Sequence, residues 1–139
     1  MEDRHPGSGV LERLRSSIDA HDLDALVGCF AVDYRNETPA HPARGFTGRE
    51  RVRANWAQIL GSVPDLRAVV VRSCKDDGAA WAEWHWSGTR PDGSALEMRG
   101  VTVLGVTGDV IAWARFYMEP VDADGPDVDA AVRGVVGVR

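Results

Sequence analysis

The sequence predicts an α+β fold, with N-terminal helices packed on one face of an antiparallel sheet built by the C-terminal half. Three observations predict it. Up to Leu60 the apolar residues recur at spacings of three and four, and from Leu66 onward they alternate. The alternating stretches are separated only by turn signals such as Asp77-Gly78, Pro91-Asp92-Gly93 and Thr107-Gly108-Asp109. Strands joined by connections this short must pair antiparallel.

Each element has its own signal. Leu11, Leu14 and Ile18 form the stripe of a first helix, which breaks at His21-Asp22. Asp22 then caps a second helix carrying Leu23, Leu26, Val27, Cys29 and Phe30 on its apolar face. Tyr34 to Thr38 reads as a short extended piece. A loop punctuated by Pro39, Pro42, Gly45 and Gly48 follows. Thr47-Gly48-Arg49-Glu50 matches a capping box and opens a third helix with Val52, Trp56, Ile59 and Leu60 on one side; Gly61 ends it. Strands are expected over 66–73, 79–90, 94–106 and 110–119. The domain is expected over residues 8–120. Residues 1–7 are expected to be flexible, and 121–139 to form an acidic tail holding either a short helix capped by Asp127 or no fixed structure.

Composition narrows the function classes. The 139 residues are 44% hydrophobic and 27% charged, which fits one ordinary globular domain with a real core. Sixteen Lys+Arg against twenty-one Asp+Glu give a net charge of −5, so most of the surface repels phosphate backbones and no nucleic-acid partner is expected. No apolar run reaches the roughly 20 residues that span a bilayer, and nothing apolar follows Met1 to Pro6, so no membrane contact or signal peptide is expected and the cytoplasm is the default. Cys29 and Cys74 form no metal-ligand spacing with each other or with a histidine, so no metal is expected.

Period two sorts the meander into faces. Trp84, Trp86, Met98, Phe116 and Met118 fall on the face turned toward the helices, where Phe30 and Trp56 meet them. That face is either a solid core or the wall of a partly open apolar cavity, since three tryptophans in so small a domain each need a partner for the indole N–H. The other face mixes Trp81, Val101, Val103, Trp113 and Tyr117 with charged residues, and Ile111 shares its parity. It reads either as the contact of a homodimer or as an amphipathic solvent face.

The order helix-helix-strand-helix-meander carries two local motifs and a closing run. The motifs are Cys29-Phe30-Ala31-Val32-Asp33 ending the second helix and Arg44-Gly45-Phe46-Thr47-Gly48-Arg49-Glu50 opening the third. The run is Gly108-Asp109-Val110-Ile111 through Arg115-Phe116-Tyr117-Met118-Glu119. Together these resemble the SnoaL-like branch of the nuclear-transport-factor-2-like superfamily, over about residues 8 to 120. The resemblance implies a cone: a curved antiparallel sheet wrapped around the three helices and enclosing a pocket. Members include polyketide cyclases, ketosteroid isomerases, limonene epoxide hydrolases and binding-only domains. The enzymes generally need no cofactor, so none is expected, and many dimerise through the outer sheet face.

The resemblance does not carry catalytic residues across. Thr38 matches the position of the isomerase base, and Trp84, Trp86 and Phe116 match the acid–base positions of the epoxide hydrolases, which disfavours that hydrolytic mechanism. What it implies is a small hydrophobic ligand, bound without chemistry or with cofactor-free isomerisation, cyclisation or dehydration. Asn36 and Thr38 share the inward parity of the first strand. Glu37 and His41 are the candidate acid–base groups, against the plainer reading of a surface glutamate and a loop histidine. Arg115 and Tyr117 face the pocket in one register and the outside in the other, and one bulge decides between them.

Overall fold

The computed structural model describes residues 6–138. The chain runs α1 (Pro6–Ala20), α2 (Leu23–Val27), β1 (Phe30–Glu37), a 3-10 turn (Pro42–Arg44), β2 (Phe46–Thr47), α3 (Arg49–Ser62), β3 (Arg67–Asp76), β4 (Ala79–Thr89), β5 (Ala95–Thr107), β6 (Val110–Pro120) and α4 (Val128–Val136). The flexible N-terminus expected over 1–7 lies mostly outside the described residues, and Pro6 and Gly7 already belong to α1.

All six strands form one curved sheet in the order β2-β1-β6-β5-β4-β3. The four-strand meander is antiparallel throughout, and β1 adds to it in parallel beside β6. The long excursion through β2, α3 and the first three meander strands supplies the crossover that a parallel pair requires. α1 packs on α2 and on β3 to β5, while α3 lies against α2 and β1. Helices therefore cover one face of the sheet, and the α+β cone is the observed architecture.

The core sits between these layers. Val10, Leu11, Leu14 and Ile18 of α1 meet Leu26 and Val27 of α2 and the inward residues Ala80, Ala82, Trp84 and Leu104 of the sheet, all of them buried. Polar ties fix the register of α1 on β3: Ala68 N–H donates to Asp19 Oδ1 at 2.7 Å, and His21 Nε2 lies 3.1 Å from Leu66 O. Asp22 caps α2 as expected, accepting from Ala25 N–H at 3.1 Å.

Four local readings are corrected. Phe30 and Cys29 are not on a helix, because α2 stops at Val27 and Phe30 already opens β1. The capping box is not made. Thr47 is held as a strand residue opposite Arg35, and Gly48, at φ 105°, becomes the N-cap without a side chain to offer. Gly61 does not end α3, which runs on to Ser62. Ile111 points inward and is fully buried, because the β5–β6 register shifts between Gly105 and Val106 and reverses parity beyond that point. Gly105 itself lies under the Trp113 indole, leaving no room for a Cβ.

Candidate functional site

The alternation of β1 decides what the site contains. Tyr34, Asn36 and Thr38 point to the helix side and are all buried, whereas Arg35 and Glu37 point away. On β6, Phe116 and Met118 share the helix side, opposite Thr102 and Gly100 of β5. Tyr34, Asn36, Thr38, Phe116, Met118 and α3 line a cavity of about 650 Å³. Its apolar wall brings together Phe30, Trp56, Trp86, Met98, Phe116 and Met118. Its polar strip is Tyr34, Asn36 and Thr38, with Asn55 facing from α3 and Arg44 and Arg51 among the lining residues as well.

The polar strip is ordered. The Tyr34 hydroxyl donates to Asn36 Oδ1 at 2.7 Å, and burial pushes the phenol above its ordinary pKa, so it stays a neutral donor. With Oδ1 occupied, Asn36 presents its NH₂ as the remaining donor. Three aromatic rings brace the wall. Trp86 meets Trp56 edge-on at 5.5 Å between ring centroids and Trp84 at 5.8 Å.

Three residues expected in the wall are elsewhere. Trp84 is 1% exposed and packed in the core, where its Nε1–H donates to the buried Thr102 hydroxyl at 2.9 Å. Arg115 and Tyr117 occupy the outward parity of β6 and are about half exposed. The bulge between Ile111 and Trp113 decides this: it separates them in facing from Ile111, which shares their alternation yet points inward.

Glu37 and His41 are not brought together. Arg115 Nε donates to Glu37 Oε1 at 2.8 Å, and Arg35 Nε lies 3.8 Å from Oε2. The Arg115 hydrogen bond holds the Glu37 carboxyl below its ordinary value. His41 Nε2 instead lies 3.1 Å from Glu119 Oε2, with Arg44 3.9 Å from the same oxygen. Glu37, Arg115 and Tyr117 line a second recess of about 680 Å³, on the alternate-residue side of β1 and β6, and it shares Asn36, Thr38, Gly45 and Phe46 with the cavity.

The residues that sequence reasoning missed had signals. Tyr34 has the same parity as Asn36 and Thr38. Asn55 lies on the Val52-Trp56-Ile59 stripe of α3, a polar residue where the helix is otherwise apolar. Among the described residues no group of three or more His, Cys, Asp or Glu is placed to hold a metal ion, and no helix is long and apolar enough to cross a membrane.

Comparison with known proteins agrees with this geometry. No curated protein matches the sequence. The RV0760c protein of Mycobacterium tuberculosis is similar in fold, with a TM-score of 0.74 at 18% identity over 87% of this chain and 100% of that one. The same protein has been crystallised with estradiol-17beta-hemisuccinate, in a structure similar at a TM-score of 0.72 over 87% and 97% of the two chains. A protein of ketosteroid isomerase-like fold from Catenulispora acidiphila, in complex with trimethylamine, is similar at a TM-score of 0.64 and 19% identity over 78% and 84% of the chains. A computationally designed 17-OHP binder is similar at 0.72 and 19% over 85% and 100%. The family model of the SnoaL-like domain matches residues 11–114. The chain belongs to the SnoaL-like domain family, within the nuclear-transport-factor-2-like superfamily.

Proposed function

We propose that the protein binds a small hydrophobic molecule, polycyclic in shape, in the cavity between α3 and the sheet, without a cofactor. The observation that carries this reading is the cavity itself. Its volume of about 650 Å³ lies within the range of small-molecule sites, roughly 300–1,000 Å³. Its wall is aromatic and thioether, and three of its polar residues, Tyr34, Asn36 and Thr38, are gathered on one strip. The Asn36 amide, oriented by Tyr34, suits a carbonyl or hydroxyl oxygen on the ligand. The estradiol-17beta-hemisuccinate complex formed by a protein of this fold supports the size class.

Titration of tryptophan fluorescence with steroids, aromatic polyketide-like compounds, terpenoid epoxides and fatty acids tests the reading. Saturable quenching that weakens in Trp56→Phe and persists in Trp84→Phe is the expected result, because only the first indole lines the cavity. A flat response across the panel sinks the proposal.

A second reading adds cofactor-free proton transfer of the isomerase or cyclase kind, with Glu37 and His41 as the acid–base groups. The lining that the cavity shares with the Glu37 recess favours it for Glu37; His41 lines neither. Glu37→Gln and His41→Asn would then lower turnover and leave affinity unchanged. We also propose a homodimer through the outer sheet face, where Val69, Val71 and Trp81 are 51%, 53% and 41% exposed. A cytoplasmic site is favoured by two free cysteines, one of them the exposed Cys74.

A further inference from the structure

We infer that the occupant of the cavity carries a hydrogen-bond acceptor, a carbonyl or ether-type oxygen, that takes the indole N–H of Trp86. The inference rests on the binding reading above and deepens it. Trp86 is 8% exposed, and its Nε1 is closed to water and has no hydrogen-bond partner. A buried donor left in this state costs about 1–3 kcal/mol, which is why native interiors hold so few of them.

Trp84 shows that the fold can satisfy such a donor. It is the same residue type on the same face of the same strand, and its N–H is matched to Thr102 at 2.9 Å. Trp86 has no such neighbour. The rings of Trp56 and Trp84 and the cross-strand Met98 and Ala68 lie beside it, and none of these side chains offers an oxygen. What separates the two tryptophans is that Trp86 lines the cavity and Trp84 does not. The missing acceptor therefore belongs to whatever fills the cavity.

The thioether chains of Met98 and Met118 line the same cavity, and unbranched methionines repack easily around an entering group. The Asn36 amide is remote from this point. Asn36 sits level with Ala114 near the middle of β6, whereas Trp86 lies level, through Met98, with Pro120 at its end. The two donors thus grip different parts of one elongated molecule.

The test uses 9-fluorenone and fluorene, a ketone and its methylene counterpart on one tricyclic frame. The ¹⁵N-labelled indole resonances of the full chain are assigned with Trp86→Phe, which keeps an aromatic ring and removes the donor. The expected result is a downfield shift of the Trp86 N–H with fluorenone alone, and affinity for the ketone about tenfold above that for the hydrocarbon. In Trp86→Phe that preference should fall to about twofold or less. Fluorene binding as tightly as fluorenone to the wild type, or an unchanged preference in the variant, overturns the inference and leaves the binding reading intact. Failure of both compounds to move any cavity resonance overturns the two together. The wild-type comparison stands even where the variant folds poorly.

Discussion

Trp84 and Trp86 carry the lesson at the scale of single residues. Alternation puts both on the inner face, and both are there, yet one is core and the other is cavity wall. Parity gives the side of a sheet, whereas depth within that side depends on which helix residue stands opposite. Glu37 shows the same limit. Its outward parity is legible, but its partner Arg115 lies far away in sequence and is brought alongside only by the parallel β1–β6 pairing. Because the Arg115 hydrogen bond depresses the Glu37 pKa, whatever stability the pair adds is present above the ordinary carboxylate range and lost as pH falls through the depressed value. Carbon-13 NMR titration should therefore show the Glu37 carboxyl below its ordinary value in the wild type and closer to it in Arg115→Met. The difference in melting temperature between the two proteins should be small for so exposed a pair and should close in acid.

At the scale of elements, the helices and meander strands were readable because their periods, 3.6 and 2, differ sharply. The short β2 and the early start of β1 were not. Phe30 continues the spacing of the α2 stripe, and only pairing with Ile111 of β6 turns it into a strand residue. α4 makes the converse point. Asp127 caps it, accepting from Ala130 N–H at 3.0 Å, yet none of its residues is buried, and Val128 and Val136 are 79% and 64% exposed. A helix that buries nothing adds little to the stability of the rest. Deleting residues 121–139 should change unfolding free energy by less than about 1 kcal/mol, measured by urea denaturation. A larger loss would show that the helix is held against the domain in solution.

At the scale of the whole molecule, the outer face combines exposed Val69, Val71 and Trp81 with ion pairs such as Arg72–Glu83 at 3.4 Å. If a second copy covers it, Trp81→Glu places a charge in a desolvated contact. Sedimentation equilibrium should then show the dimer weakened by about 30-fold or more, the cost of losing an aromatic hot spot of roughly 2 kcal/mol or more. An unchanged sedimentation profile would remove the outer face from the interface.

The sequence by itself determined the fold class, the antiparallel meander and the sidedness of nearly every strand residue. It also named eight residues that meet around the cavity: Phe30, Asn36, Thr38, Trp56, Trp86, Met98, Phe116 and Met118. Except for Phe30, whose helical spacing misplaced it on α2, these follow from local periodicity, which each segment carries alone. Tertiary structure alone decided that the cavity is open, that Trp84 is sealed in the core, that the β5–β6 register slips where Gly105 admits Trp113, and that Glu37 joins Arg115 rather than His41. Those outcomes depend on contacts between residues distant in the chain, and no local pattern encodes the distance at which two packed layers come to rest.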